Sequence, residues 1–244
     1  IMVIDAPNQI KRESQVFTTS GYTIPELDND KDTLPKLFVD TAKKYWGKIA
    51  MRKKRLGIWQ EYTWEESYQK VHDFTLGLMS MGLERGEKVA IIGENDPEFY
   101  WAELATHCAG GASTAIFTDA NPQELLYVVT NSDSVFLVAH DQEQCDKALE
   151  LKEKLPNIRK VIYWEERGMW GYDDDWLMSF DDVMALGREY GKKHGDAFLK
   201  SVAQGNGNDI AIFSYTSGTT SLPKAAMVRH RNLIYTNVHT QPVI

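Results

Sequence analysis

The sequence has little cysteine: only Cys108 and Cys145 occur among 244 residues, and they form no CxxC pair. No two histidines stand at the spacing of a metal-binding pair. A disulfide framework or a zinc site is therefore not expected, because both need such groupings. Both thiols are interpreted as ordinary core or surface residues, and no metal-binding residue is predicted.

Long apolar runs are also missing, since no stretch of about 18 uncharged apolar residues occurs, the length a membrane-spanning helix needs. The first 30 residues lack the charged start, apolar run and small-residue cleavage site of a signal peptide. From these two absences we expect a cytoplasmic protein.

An excess of positive charge is absent as well, because 35 acidic residues outnumber 27 lysines and arginines and give a net charge of -8. Proteins that grip nucleic acid in general need a basic surface to displace counterions from the phosphates. No nucleic-acid partner is expected, and an anionic cofactor would have to be held by local groups.

The chain does contain short apolar runs that alternate with helical patterns. This alternation predicts an α/β fold with a mostly parallel sheet flanked by helices on both faces. Two helices are expected to begin at Pro97 after Asp96 and at Pro122 after Asn121, and a third covers 141–154. The apolar runs predicted as buried strands are 88–93, 113–117, 134–139 and 159–164.

The remaining segments divide the chain into four predicted parts: an irregular segment 1–32, an α/β subdomain 33–164, a surface excursion and linker 165–208, and a final part 209–244. The subdomain is expected to open with a helix near Leu34 to Tyr45, two short strands at 49–54 and 57–63, and a helix capped by Thr63 with Glu66. Trp46, Trp59 and Trp64 are interpreted as core residues.

The final part contains a hydroxyl-rich loop, TSGTTSLPK (216–224), directly after the predicted strand DIAIFSYT (209–216). Its hydroxyl residues surround Gly218, where the backbone can turn tightly and point its amides outward, and Lys224 adds a positive charge. A charge-assisted contact of that lysine with a phosphate oxygen would contribute roughly 1.5 to 3 kcal/mol. The loop is not a Walker P-loop, because Pro223 stands where GxxxxGK[ST] requires glycine.

YTSGTTSLPKAA (215–226) resembles the phosphate-binding loop [YF]TSGTTGxPKG of adenylate-forming enzymes. Segments 63–83 and 86–139 look like the corresponding parts of bacterial long-chain fatty acyl-CoA synthetases, and the likeness covers about 33–164 and 209–244. The resemblance implies the incomplete amino-terminal part of that enzyme fold. The nucleotide-binding positions that it implies are Thr216, Ser217, Gly218, Thr219, Thr220 and Lys224.

The same resemblance implies that a fatty acid is activated with ATP and Mg²⁺ to an acyl-AMP and is then transferred to coenzyme A. Two residues depart from the pattern, since Ser221 and Ala225 stand where the family has glycine. If the backbone at Ser221 must be left-handed, the departure costs on the order of 1 to 2 kcal/mol. Peripheral membrane contact of the full enzyme and association through exposed strand edges are further expectations.

Three alternatives remain open at this point. The ligase could act on an aryl acid or an amino acid, or the chain could be a non-catalytic α/β binding module in which the loop is only a turn.

Glu94, Asn95 and Asp96 follow a predicted strand where α/β sheets place ligands, although capping and turn roles are favoured for them.

The residues that complete the family's active site lie beyond this loop in its members, so no complete catalytic set is present in the 244 residues. We therefore expect this chain by itself to lack acyl-CoA synthetase activity. The measurement is pyrophosphate release from ATP and palmitate, and release at the rate of an intact synthetase would contradict the expectation.

Overall fold

The computed structural model describes residues 27–216 and 223–240, and within them the strands form an antiparallel ribbon and a larger sheet. The ribbon consists of β1 (Ile49–Arg55) and β2 (Ile58–Thr63). The larger sheet contains β3 (Lys88–Ile92), β4 (Ala112–Ile116), β5 (Ser134–Ala139), β6 (Lys160–Tyr163), β7 (Leu177–Ser179), β8 (Ile210–Thr216) and β9 (Lys224–Arg229).

The larger sheet has the strand order β7-β6-β5-β3-β4-β8-β9, and all neighbouring pairs are parallel except β8 with β9. The predicted fold class is thereby confirmed. The four apolar runs predicted as strands correspond to β3, β4, β5 and β6, with bounds that differ by at most one residue. Parallel strands buried on both faces require such continuous apolar runs, which is why the sequence revealed them.

Helices cover both faces of this sheet: α1 (Leu34–Tyr45), α2 (Trp64–Ser80), α3 (Pro97–Cys108), α4 (Pro122–Asn131), α5 (Gln142–Glu150), α6 (Phe180–Lys193), α7 (Ala197–Gln204) and α8 (His230–Thr240). Val89 and Ile91 of β3 face a core shared with α1, α2, α3, α6 and α7. Ala90 and Ile92 face a second core shared with α4 and α5. Alternate residues of one strand thus separate the two cores. No helix of the described residues has both the length and the apolarity to cross a membrane.

Two of the predicted helix starts, at Thr63 and Asn121, are confirmed at the side-chain level, whereas α3 begins at Pro97 as predicted but without a capping bond from the Asp96 side chain. The Thr63 hydroxyl accepts a hydrogen bond from the Glu66 amide, and the Glu66 carboxylate accepts one from the Thr63 amide. Asn121 and Glu124 form the same reciprocal pair at the start of α4. Each pair satisfies amides that a helix start otherwise leaves without partners.

The interpretation of 165–208 as a surface excursion and linker is wrong for much of its length. The segment supplies β7, which pairs with β6, and the helices α6 and α7. Phe180 of α6 stacks on Phe74 of α2 with ring centroids 4.0 Å apart, and Phe198 of α7 is buried in the same core. Polar stretches between these elements, such as QGNGN (204–208), are typical of linkers, which is why the sequence favoured that interpretation. The division of the chain into subdomains remains a prediction.

Three further features differ from the sequence interpretation. The tryptophans of the ribbon region are not uniformly core residues, because Trp59 is 61% and Trp46 40% exposed. Strand β8 is only half-buried, with Ala211 as its one fully buried residue. A strand that the sequence did not predict, β9, separates the loop from α8.

The closest helix contact lies between α2 and α6 at two glycines. A Cβ atom added to Gly187 would lie 1.8 Å from the Asp73 carbonyl oxygen, and one added to Gly77 would lie 2.2 Å from the Val183 carbonyl oxygen. Real Cβ atoms do not approach backbone oxygens this closely, so the two helices can pack at this distance only with glycine.

Gly187→Ala is therefore expected to lower the free energy of unfolding by about 1 to 3 kcal/mol, because the helices must move apart. Urea unfolding followed by circular dichroism measures the change. Gly47→Ala is the matched control, since an added Cβ there meets nothing within 4 Å. Equal stability of the two variants would contradict the packing argument.

Candidate functional site

The strand pair β8–β9 brings together the two ends of the hydroxyl-rich loop. Thr216, the last residue of β8, lies directly opposite Lys224, the first residue of β9. The Thr216 hydroxyl oxygen lies 3.4 Å from the Lys224 carbonyl oxygen, to which it donates. Both residues are exposed, so the lysine side chain is available to solvent at the closed base of the loop.

The predicted site residues Ser217, Gly218, Thr219 and Thr220 lie outside the described residues, as does Ser221. The structure thus brings together two of the six predicted residues, and the other four remain predictions. Ala225 is described, and it lies in β9 opposite Tyr215. Because its backbone is not among the described residues with positive φ, alanine is compatible with this position without strain.

Helix α4 anchors both ends of the loop, a contact that the sequence did not predict. The Tyr127 hydroxyl donates to the Pro223 carbonyl oxygen at 2.8 Å, next to Lys224. On the other strand, the Tyr215 hydroxyl donates to the Asn131 side-chain oxygen at 2.7 Å. The rings of Tyr127 and Tyr215 meet edge to face at 6.3 Å. Burial raises the pKa of Tyr215 to about 12, so its hydroxyl remains a donor at neutral pH.

Buried polar contacts contribute to the attachment of strand β8 to the parallel sheet. Its backbone register with β4 consists of a single pair, Ser113 with Ile212. His107 of α3 supplements this pair, since its Nε2 lies 2.8 Å from the Ala211 carbonyl oxygen. A carbonyl accepts only a donated proton, so His107 must carry its proton on Nε2.

His107 lies against a second buried histidine, His230, with ring centroids 5.2 Å apart. Burial lowers the pKa of His107 to about 3 with a further contribution from His230, and burial lowers that of His230 to about 4. Nδ1 of His230 accepts the Leu34 amide at 3.4 Å, which links the start of α1 to the start of α8. Both histidines are therefore buried structural groups.

The carboxyl ends of β3 and β4 form a cavity of about 220 Å³ on the edge of the sheet that also carries the loop. The connection after β3 leads to α3 on one face of the sheet, and the connection after β4 leads to α4 on the other face. Ligand crevices form where two neighbouring connections diverge in this way. Glu94 is the charged residue among its lining groups, which disfavours a phosphate there. The lining residues are Gly93, Glu94, Asn95, Phe99, Ala115, Ile116, Phe117 and Thr118.

Asp96, by contrast, belongs to a closed polar cluster. Its Oδ2 accepts from Lys53 at 2.6 Å and from Trp164 Nε1 at 3.2 Å, and His140 Nε2 lies 3.4 Å away. Asp96 is the N-cap residue of α3 but makes no side-chain capping bond. The carboxylate therefore ties the β1–β2 ribbon to the sheet edge.

Neither cysteine is placed for chemistry. Cys108 and Cys145 are free and buried, and burial raises the pKa of the Cys145 thiol to about 12. Among residues 27–216 and 223–240, no group of three histidine, cysteine or acidic side chains converges in a way that could hold a metal ion. The described ends of the loop instead carry an exposed lysine and an exposed threonine, groups that can bind an anion.

Comparison with known proteins gives the context of this geometry. The family profile described as AMP-binding enzyme matches residues 38–243. The chain is 28% identical over 214 residues to long-chain-fatty-acid–CoA ligase ACSBG2 of Xenopus laevis, with 86% of this chain and 28% of the relative covered. It is 29% identical over 235 residues to ACSBG2 of Gallus gallus, with 92% and 30% covered. These relatives are vertebrate proteins rather than the bacterial ones that the sequence suggested.

The fold is also found in solved structures. Acetoacetyl-CoA synthetase from Streptomyces lividans superimposes with a TM-score of 0.70 at 19% identity, over 86% of this chain and 32% of that protein. The anthranilate CoA ligase AuaEII, solved with anthranoyl-AMP, gives 0.67 at 20% identity, over 82% and 35%. At these identities the likeness establishes the fold alone. The chain spans less than a third of the length of the curated relatives described above.

The buried histidines predict acid-sensitive stability. Both are neutral in the folded chain, whereas in the unfolded chain they bind protons below the ordinary pKa of 6.5. Stability is therefore present above pH 6.5 and declines as the pH falls toward the folded values of about 3 and 4. Between pH 7.5 and 5.5 each histidine is expected to remove about 1 to 1.5 kcal/mol from the free energy of unfolding.

Urea titrations at the two pH values measure this loss. His107→Gln is the comparison variant: it is expected to be less stable at pH 7.5 but to lose about 1 kcal/mol less on acidification, because only the contribution of His230 remains. An identical pH dependence in the variant would show that His107 does not contribute.

Proposed function

Because the chain belongs to the AMP-binding enzyme family, we propose that it forms part of an ATP-dependent ligase that activates a fatty acid as an acyl-AMP and transfers it to coenzyme A. The observation that carries the proposal is the closed hairpin base, which pairs Thr216 with Lys224, both exposed, at the carboxyl edge of the sheet. An anionic polyphosphate is the ligand that such a pair suits.

In this proposal the loop holds the outer phosphates of ATP. Lys224 neutralises phosphate charge, and the hydroxyls and amides of 217–220 donate hydrogen bonds, which Thr216 joins when its hydroxyl turns from the Lys224 carbonyl toward the phosphate. Mg²⁺ is proposed to accompany the nucleotide and to screen its charge. These residues act by positioning and by charge stabilisation, which is the main requirement of phosphoryl and adenylyl transfer.

The choice of a fatty acid is supported by the names of the vertebrate relatives, whose sequences resemble this chain at 28 to 29% identity. The two solved structures described above are named for other acids, but their likeness is to the fold alone. A fatty acid is therefore favoured over an aryl acid or an amino acid. Pyrophosphate release by the full-length protein with a panel of palmitate, anthranilate and amino acids tests this choice, and a preference for either of the latter would overturn it.

The nucleotide part of the proposal is tested with Lys224→Ala. Loss of the ammonium is expected to weaken MgATP binding to the native chain by about ten- to a hundredfold, because a charge-assisted contact is removed. Isothermal titration calorimetry measures the dissociation constants. Lys43→Ala, at an exposed lysine in the last turn of α1, is the matched control and is expected to bind as the native chain does.

Two results would count against the proposal. If the native chain binds no MgATP, the loop as present in these residues is not a nucleotide site, and the binding-module alternative gains support. If the two lysine variants bind equally well, the charge of Lys224 has no specific role.

A further inference from the structure

We infer that Tyr127 is a positioning residue for Lys224: its hydrogen bond to the Pro223 carbonyl orients the lysine toward the bound phosphate. The inference rests on the proposed function, because the positioned group is the proposed phosphate ligand. Tyr127 lies 96 residues away from Pro223 in sequence, on α4, and is no part of the loop motif.

The first argument comes from the peptide that Tyr127 contacts. The Pro223 carbonyl and the Lys224 amide belong to one planar unit, which cannot rotate internally. A hydrogen bond of 2.8 Å from the Tyr127 hydroxyl to that carbonyl therefore constrains the whole plane. The Lys224 Cα lies in the same plane, and the pairing of Lys224 with Thr216 restrains the dihedral angle that follows. Together the two restraints constrain the direction in which the lysine side chain leaves the backbone.

The second argument is that the opposite strand is held by the same helix. Tyr215 immediately precedes Thr216, and its hydroxyl is bound to Asn131 at the end of α4. The ring of Tyr215 packs edge to face on that of Tyr127, with an interplanar angle of 81°. Both ends of the loop, at Tyr215 and at Pro223, are therefore hydrogen-bonded to the same helix, α4.

The third argument is the rigidity of α4 itself. Its start is fixed by the reciprocal pair Asn121 and Glu124, and Leu125 and Val129 are buried in the second core. A hydroxyl presented by such a helix has little freedom to follow a moving loop. Preorganisation of this kind improves affinity because less conformational freedom is lost when the ligand binds.

The role is positioning and not direct ligand contact, since the Tyr127 hydroxyl donates its one proton to the Pro223 carbonyl. Lys224 keeps its exposed ammonium for the ligand. Removing the hydroxyl while keeping the ring should consequently affect the ligand only through Lys224.

The test compares Tyr127→Phe with Tyr172→Phe in the native chain. The control loses a hydroxyl that hydrogen-bonds Asp146 in another part of the fold. Tyr127→Phe is expected to raise the MgATP dissociation constant about two- to tenfold, whereas the control leaves it unchanged. Urea unfolding midpoints of both variants are measured to exclude a general loss of structure.

A double-mutant cycle separates positioning from a general structural effect. In the Lys224→Ala background, Tyr127→Phe is expected to weaken MgATP binding by less than twofold, because the group that it positions is gone. An equal loss in both backgrounds would overturn the inference. Asn131→Ala, which releases Tyr215 at the other end of the loop, is the second variant and is expected to weaken binding as well.

Hydrogen exchange distinguishes failure of this inference from failure of the proposed nucleotide site. Without any ligand, the Lys224 amide is expected to exchange faster in Tyr127→Phe than in the native chain and in Tyr172→Phe. If the native chain binds no MgATP but this acceleration occurs, the nucleotide proposal is wrong and the anchoring by Tyr127 stands. If exchange and binding are both unchanged by Tyr127→Phe, the inference is wrong.

Discussion

The antiparallel pairing of β8 with β9 is the constraint on which the candidate site depends. It places Thr216 opposite Lys224, so the residues between them leave and re-enter the sheet at the same point. A lysine eight residues after a threonine need not lie near it in an extended chain. The hairpin makes them neighbours and directs both toward the carboxyl edge of the parallel strands, where α/β sheets present ligands.

That hairpin is itself held to the rest of the sheet by polar groups that have to remain in one protonation state. With a single register pair between β4 and β8, the hydrogen bond from His107 to the Ala211 carbonyl adds a second point of attachment. Burial keeps the imidazole neutral, and neutrality leaves one ring proton for the carbonyl. On the loop side, the hydroxyls of Tyr127 and Tyr215 serve the same purpose as hydrogen-bond donors. The position of the loop therefore depends on α3 and α4 together, one on each face of the sheet.

The polar residues at the carboxyl edge of the sheet have different roles. Asp96 is occupied by Lys53 and Trp164 and joins the ribbon to the sheet. Glu94 lines the cavity at the carboxyl ends of β3 and β4, to which no ligand is assigned. Lys224 alone among the residues discussed combines an exposed positive charge with the family's loop, which is why the proposed phosphate contact is assigned to it and not to the neighbouring cavity.

The sequence by itself determined the family resemblance, the α/β class, the central strands and the capped helix starts, because each of these is encoded by neighbours in the chain. Apolar runs predict buried parallel strands, and Thr63 with Glu66 predicts a cap three residues away. Only the tertiary structure decided what depends on distant residues. The anchoring of Pro223 by Tyr127 and the buried bond of His107 join positions 96 and 104 residues apart, and the contribution of 165–208 to the core is likewise long-range. Strand β9 is nearer in sequence to its partner β8, but it forms only through their pairing. Local sequence patterns do not predict these contacts. They form only when the chain folds and α2 packs on α6 and α4 on β8.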